Sequence, residues 1–499
     1  MTEQEETVTS KERIIPFDLL PDEIWLRIFS ELPVSALCRC RRVSKKWNSL
    51  SHDQSIWQCL CKNILPASFL AKIKPIVTAK EEEACENDST ATATFEKNNK
   101  LSNSFKDCTS WENTYRVYSS TQQNWATSTA VRVTSVKAHE QSIKVLKLKG
   151  DLVVTGSSDN YTRVWSVRTM ERLLEIDVEA DVNSIDFLVE KDVIVCGSYY
   201  GEFGCKLFSF SRGKFLGQFM ENHWVGTQCL SMNEDYIVLG AHNGDIYVIA
   251  WSEGRKVAVF NEHRNPVAGV CLIGADTILS VSTNGTIDTF SIKQHTRLHQ
   301  YSISNGMSVC ISAFDEFSDG RNVMCVSPTG TIVHLVWPNN ETTETVDSSS
   351  QDFQIIDTES IHRIFSQDPI IHYSNTEISN RILCAAIDGN FNRGVIGQCL
   401  SWPPRGSIQI YDFEKGLGRL DGIQRPNAED DALGREQGSN PVFTTLGMDI
   451  EKVVAGCSRG WMYCFELVGE VNKYKEEYIR ENQSTSSSPL LKEIWEEIY

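Results

Sequence analysis

Sixteen cysteines and ten histidines are the residues of this 499-residue chain best suited to metal binding or nucleophilic chemistry. Their spacing argues against both. No CxxC pair occurs, and the two CxC pairs, Cys38/Cys40 and Cys59/Cys61, are too close for a usual zinc knuckle. Most other cysteines sit inside apolar runs such as VIVCGS, VAGVCL and YCFEL, as small core residues of a reduced compartment do. The phosphate-loop, serine-hydrolase, zincin and EF-hand patterns are absent. His139, His223 and His263 recur at the starts of similar segments, where a structural hydrogen bond is expected. No catalytic residue, cofactor or metal site is therefore expected. The Ser-rich stretches 348–350 and 484–488 read as flexible loops, with phosphorylation as the alternative.

The frame that would position any site is read from charge and pattern. No apolar run approaches the ~18 residues of a membrane helix. The N-terminus, MTEQEETVTSKER, lacks an apolar signal core, so a cytoplasmic or nuclear location is expected and no membrane partner. The net charge of -18 argues against nucleic acid as a partner. It is uneven: residues 11–74 carry 11 Lys/Arg and 6 Asp/Glu, a net of +5, which leaves -23 for the rest. A small basic module precedes a large acidic one.

The domain reading has six parts. Residues 1–13 are a disordered N-terminus, 14–62 a compact helical module and 63–109 a linker, largely disordered, with its most polar stretch at 76–104. Residues 110–127 (SWENTYRVYSSTQQNW and its flank) form a helical joint with Tyr115 and Trp125 as anchors. Residues 128–470 are short β-type runs broken by turns, and 471–499 are a tail closing in LLKEIWEEIY, an amphipathic pattern.

The β region repeats. Turn residues Asn160, Gly201, Gly244, Gly285, Gly330, Gly406 and Gly460 are spaced by 41, 43, 41, 45, 76 and 54. The first four spacings match a propeller blade, and the last two contain polar inserts. Five residues after the turn stand Trp165, Ile249, Phe290, Leu335, Tyr411 and Phe465; in the longer second repeat Phe208 takes that place. One large apolar residue per repeat, within two-period alternation such as YTRVWSV and SIQIYDF, suits a strand side chain wedged between neighbouring sheets.

The first repeat, AHEQSIKVLKLKGDLVVTGSSDNYTRVWSV, resembles a WD repeat. Ser166 stands where the family has the Asp of its Trp-Asp pair. The resemblance implies hydrogen bonds linking His139, Thr155 and Trp165, with Asp159 fixing the turn. It also implies an all-β propeller of seven blades, six or eight being the alternatives. The alternating segment TAVRVTSVKAH (129–139) is expected to be the outer strand of the last blade, closing the ring.

The stretch LLPDEIWLRIFSELPVSALCRCRRVSKKWNSLSHDQSIWQCLC resembles an F-box over about 45 residues without a gap. Its physics agrees: Pro21 suits a first helical turn, Asp22 and Glu23 complement the helix start, Ile24, Ile28 and Leu32 form one stripe, and Pro33 ends the helix. The resemblance implies that Leu20, Pro21, Ile24, Ile28, Leu32, Leu37 and Val43 face a Skp-type adaptor, with packing inside the helical module as the alternative for each. Trp47 is expected to pack inside. The basic run Arg39, Arg41, Arg42, Lys45 and Lys46 reads as a solvated face, or as steering toward an acidic adaptor.

Together the two resemblances imply a multidomain protein: a small all-α F-box domain followed by an all-β WD-repeat propeller. They imply a non-catalytic substrate-recognition subunit of an SCF-type ubiquitin ligase. The adaptor would lead to a cullin–RING ligase, and the propeller would hold the protein substrate. A non-degradative scaffold that recruits the adaptor is the alternative, and an enzyme built on a propeller is disfavoured. Substrate residues are not assignable: Arg163, Arg264, Arg321, Arg405 and Arg459 are scattered over several repeats.

Overall fold

The structure, a computed structural model, describes residues 20–65, 70, 73, 110–128, 130–199, 204–219, 226–303, 311–314, 322–327, 331–337, 358–375, 380–388, 393–401, 404–412, 418–420 and 442–468. Residues 1–13, 76–104 and 471–499, the turn residues Gly201 and Gly330, His223, Arg321 and both Ser-rich stretches lie outside them. The chain divides into two compact units, one reaching Tyr118 and one starting again at Ser119. No described helix is long and apolar enough to cross a membrane.

The first unit is helical: α1 (Asp22–Ser30), α2 (Val34–Cys40), α3 (Lys45–Leu50) and α4 (Gln54–Ile64), joined by the first half of α5 (Trp111–Ala126). The starts are written in the sequence. Pro21 and Pro33 precede α1 and α2 with extended backbone, where a proline costs no helical donor. Ser44 and Asp53 cap α3 and α4 by accepting from the backbone of Trp47 and Ser55.

The core of this unit does not form on the Ile24, Ile28, Leu32 stripe. It forms one position along, on Trp25 and Phe29, both buried. Trp47 packs its ring 4.8 Å from Trp25 and edge-on to Phe29 at 5.4 Å, while staying half-exposed. Aromatic pairs at such separations contribute beyond their burial. Trp57 is buried against Tyr115 of α5 and donates to the Ser51 carbonyl at 3.0 Å.

Arg41 leaves the solvated basic run to enter this core. Its guanidinium sits over the Trp57 ring and donates to Glu112 Oε1 at 3.1 Å. His52 Nδ1 lies 2.8 Å from the other Glu112 oxygen, and Arg116 adds a 2.6 Å contact. Burial pushes the Glu112 carboxyl up, but the hydrogen bonds and charges of His52, Arg41 and Arg116 outweigh it and hold the pKa below the ordinary glutamate value.

The second unit contains seven four-stranded antiparallel sheets. In chain order they are β2 (Ile143–Lys149) to β5 (Arg172–Asp177), β6 (Ser184–Leu188) to β9 (Phe215–Phe219), β10 (Thr227–Met232) to β13 (Arg255–Phe260), and β14 (Val267–Ile273) to β17 (Thr296–Ser302). There follow β18 (Ile311–Phe314) to β21 (Ile370–Asn375) and β22 (Asn380–Asp388) to β25 (Gly418–Leu420). The last sheet holds β26 (Phe443–Met448), β27 (Lys452–Cys457), β28 (Trp461–Glu466) and, as its outer strand, β1 (Arg132–Lys137). The blade count is seven. β1 pairs antiparallel with β28 from Arg132↔Glu466 to Lys137↔Trp461, so the ring is closed by its own first strand.

Seven side chains, one large apolar residue per repeat, form the joints. Trp165, Phe208, Ile249, Phe290, Leu335, Tyr411 and Phe465 are all buried. Each shares a hydrophobic cluster with the preceding blade: Phe208 with Val154 and Val164, Phe290 with Val238 and Val248, and Trp165 with Met462 and Cys464 across the seam. Asn160, Gly244, Gly285 and Gly460 occupy the left-handed turn conformation, with φ of 69°, 92°, 81° and 78°. Gly406 is not a turn. It lies within the nine-residue β24 (Pro404–Asp412), opposite Cys399, and the connection falls between Ser401 and Pro404 because these strands are longer than in other blades.

Two elements brace this unit from outside the sheets. The second half of α5 places Trp125 in the cluster between the sixth and seventh blades, where its Nε1 donates to the Ile450 carbonyl at 2.7 Å. Helix α6 (Thr358–Phe365), inserted between β20 (Thr331–Val336) and β21, buries Ile361, Ile364 and Phe365 between the fourth and fifth blades. The sequence reading registered only a polar insert there.

The Glu112 cluster generates a prediction. A carboxyl with a lowered folded pKa contributes stability above its unfolded pKa, and that contribution is lost as pH falls through the folded value. Glu112→Gln is therefore expected to destabilise the helical unit by about 1–3 kcal/mol near neutral pH, the worth of charge-assisted bonds. The deficit is expected to shrink as pH falls below the ordinary glutamate range and through the lowered folded value, where the native glutamate is itself protonated. Amide hydrogen exchange of residues 54–64 across that pH range measures both.

Candidate functional site

Two regions hold the residues singled out in the sequence. The first is the outer face of the helical unit. Ile24 and Ile28, one turn apart on α1, are 45% and 41% exposed, and Val43 after α2 is 62% exposed. Pro21 is exposed and Leu20 and Leu32 are half-buried. Leu37 is different: it is fully buried, so it builds the core of the unit and offers no surface. The geometry thus separates the seven nominated residues into an open aliphatic group and one interior residue. Lys46 pairs with Asp22 at 2.8 Å on the surface, and Arg39 Nε donates to the Ser35 carbonyl.

The second region is formed by the loops at one end of the blades. In the first blade five side chains join strands β3 (Leu152–Ser157) and β4 (Tyr161–Ser166) to the preceding loop. Asp159 can only accept; burial pushes its carboxyl up, but His139, Arg163 and backbone donors from Tyr161 and Glu140 hold it below its ordinary value. His139 is pushed down to about 4, chiefly by burial, and is neutral. Its Nδ1 lies 3.0 Å from Asp159 and 2.6 Å from Arg163 Nη1, and its Nε2 pairs with the Thr155 hydroxyl at 2.8 Å. The Thr155 oxygen in turn accepts from Trp165 Nε1 at 3.1 Å. Arg163 completes the set, donating to Asp159 at 2.9 Å, to Glu175 at 2.6 Å and to the Ala138 carbonyl at 3.1 Å. Each buried polar atom of this network finds a partner, which orders the turn and leaves no group poised for bond-making.

The fourth blade builds the same end differently. His263 Nε2 lies 2.8 Å from Ser280 Oγ, in the manner of His139 and Thr155. The carboxylate, however, has moved from the turn to β16 (Thr286–Ser291): Asp288 is fully buried with Oδ2 3.2 Å from His263 Nδ1. Burial pushes Asp288 up to about 6 and, with Arg297, pushes His263 down to about 4. A cavity of about 340 Å³ opens beside them, lined by Glu262, His263, Arg264, Asn284, Thr286, Arg297, Gln300 and Ser302. Sequence reasoning marked His263 and Arg264 here but missed Asp288, because a single Asp in an alternating strand carries no signal of its own.

The other nominated groups stay apart. Arg163 serves the first-blade network, Arg264 is exposed at the fourth-blade cavity, and Arg459 sits in the seventh-blade turn. Among the described residues no group of three or more His, Cys, Asp or Glu is placed to hold a metal ion. The buried thiols of Cys196, Cys229, Cys325 and Cys464 are pushed up to about 12, mainly by burial, and are poor nucleophiles. Cys38 and Cys59 are exposed.

Trp165 is both a joint between the first and seventh blades and the end of the hydrogen-bonded chain. Trp165→Ala is expected to cost on the order of 3–5 kcal/mol in a urea melt of the full chain. Trp165→Phe should recover the packing but leave the Thr155 lone pair unfilled, costing about 1–2 kcal/mol.

Comparison with known proteins agrees with both units. An F-box-like family model matches residues 17–63. An F-box protein of Saccharomyces cerevisiae is 24% identical over 164 residues, covering 32% of this chain and 24% of that protein, so the chain spans about a quarter of that relative's length in the match. The solved structures of U3-55K and of the RRP9 WD40 repeats are each similar with a TM-score of 0.51 and 12% identity. They cover 67% and 68% of this chain and 98% and 97% of their own. The propeller domain of Cps50 (Swd1) from Myceliophteria thermophila also has a TM-score of 0.51, at 10% identity over 67% of this chain and 98% of its own. At such identity these structures speak for the fold alone. The chain thus carries a match to the F-box-like family over residues 17–63 followed by a seven-bladed propeller whose fold is similar to that of WD40-repeat structures.

Proposed function

We propose that the chain is the substrate-recognition subunit of an SCF-type E3 ubiquitin ligase. The helical unit docks a Skp-type adaptor, the adaptor connects to a cullin–RING ligase, and the propeller holds the protein that becomes ubiquitinated. The site of action is the cytoplasm or the nucleus. The observation that carries the reading is the aliphatic group left open on the F-box-like unit, Ile24, Ile28 and Val43. A domain this small exposes large aliphatic side chains side by side at a cost, which a partner offsets by covering them.

The chain makes and breaks no bond in this scheme. It raises the effective concentration of substrate lysines near a charged conjugating enzyme, and the rate gain is that of an intramolecular encounter. Closed sheets and the satisfied network of the first blade suit such a task, since a receptor must hold its ligand-binding loops still.

Ile24→Asp combined with Ile28→Asp tests the proposal, because both side chains are exposed and contribute little to the fold. Each buried aliphatic contact contributes about 1.5–3 kcal/mol, so the pair is expected to lower affinity for a purified Skp-type adaptor by about 100-fold or more. The thermal melt of the variant should match the parent. Undiminished adaptor capture refutes the docking face. Adaptor capture without cullin association and without substrate turnover favours the non-degradative scaffold.

A further inference from the structure

The first and fourth blades can be superposed residue by residue through their turns. Asn160 corresponds to Gly285, so Arg163 corresponds to Asp288, Arg172 to Arg297, Glu175 to Gln300 and Asp159 to Asn284. The sheet registers agree: Arg163 faces Glu175 and Asp288 faces Gln300, while Arg172 and Arg297 face the joint residues Trp165 and Phe290. By hydrogen-bonding role His139 corresponds to His263, and Ala138 before it to Glu262.

In the first blade the Arg163 side chain reaches Ala138, His139, Asp159 and Glu175. Their four counterparts, Glu262, His263, Asn284 and Gln300, all line the fourth-blade cavity. The cavity is therefore the space that a guanidinium fills in the first blade and that Asp288, a shorter side chain, leaves empty in the fourth.

The charges lead to the same place. The first blade balances Asp159 and Glu175 against Arg163 and Arg172. At the fourth-blade cavity Glu262 and Asp288 share Arg297, whose Nη1 lies 3.0 Å from Glu262 and 3.8 Å from Asp288. Arg264 is at the exposed rim. Asp288 has no exposed surface, and its polar neighbours are His263 Nδ1 at 3.2 Å, Arg297 at 3.8 Å and the facing Gln300. A buried carboxylate so placed is costly until a cation approaches it.

We propose that the fourth-blade cavity receives an arginine side chain from a protein partner, which completes that blade in trans as Arg163 completes the first blade in cis. Glu262 on the cavity wall supplies the nearest counter-charge, Asp288, fully buried behind the lining, adds to it at longer range, and the carbonyl groups of Asn284 and Gln300 supply neutral acceptors. A guanidinium suits the site better than an ammonium because its five donors fork toward several acceptors at once. The proposal concerns the ligand of the propeller and stands independently of whether the helical unit recruits an adaptor.

The test uses the full chain and a blocked Gly-Arg-Gly tripeptide, followed by calorimetry or by NMR shifts near neutral pH and at low salt. The same tripeptide with citrulline keeps the shape and loses the charge. Saturable binding of the arginine peptide is expected, with citrulline weaker by about tenfold or more. Asp288→Asn should weaken the arginine peptide by a similar factor. Glu262→Gln, at an exposed position, provides a variant whose folding is not at stake and should weaken it several-fold. Arg297→Ala should tighten binding, since it removes the cation that competes for both carboxylates. The opposite sign decides against the proposal: a phosphoserine tripeptide that binds, and is lost with Arg297→Ala, makes the cavity an anion site. Equal binding of citrulline, or no saturable binding up to about 10 mM, also overturns it.

Discussion

A β-sheet in a propeller has two apolar faces and no covering helix, so each blade is stable only where the next blade covers it. The wedge residues of the third strands meet this constraint. Each projects from its own sheet into the cluster of the preceding blade, and seven of them close the circle. Because the covering is mutual, no blade can be removed without exposing two faces. The outer braces follow the same logic where the joint is incomplete. Trp125 of α5 reinforces the contact between the sixth and seventh blades, and α6 fills the wedge between the fourth and fifth.

Much of this was legible in the sequence because it is periodic. A turn residue every 41 to 45 positions and one large apolar residue at a fixed offset are the direct trace of stacked blades. Closure by the first strand was legible from the alternation of 129–139. The F-box-like helices were legible through Pro21, Pro33 and the apolar stripe. What the stripe concealed is which side faces inward. Ile24 and Ile28 lie only about 100° around the helix from Trp25 and Phe29, and both pairs are apolar at the same spacing. The larger aromatic pair builds the core, since it buries more surface. Leu37 followed the same rule, and periodicity alone could not separate it from Val43.

The polar groups were less legible than the apolar ones. His139, Thr155, Asp159 and Trp165 were found through a resemblance, and the geometry gives each a hydrogen-bond partner. Glu112 and Arg41 gave no warning, because their partners stand about 70 residues apart in sequence. The fourth blade shows why degenerate repeats resist reading. Its carboxylate moved from a turn to a strand, a change that leaves the hydrophobic pattern untouched and alters the electrostatics of one end of the blade. Helix α6 was hidden for a related reason, since Thr358–Phe365 is short and follows a polar insert that dominates its neighbourhood.

The pairing of β1 with β28 joins residues more than 300 positions apart. During synthesis the chain emerges N-terminus first, so β1 leaves the ribosome long before its partner exists. Until then its pairing edge is unoccupied, and the first blade lacks the seventh-blade cover over Trp165. Every prematurely ended product that lacks β28 carries both defects permanently. The seam therefore ties closure to length: only a chain translated beyond Glu466 can pair the edge of β1 and cover Trp165.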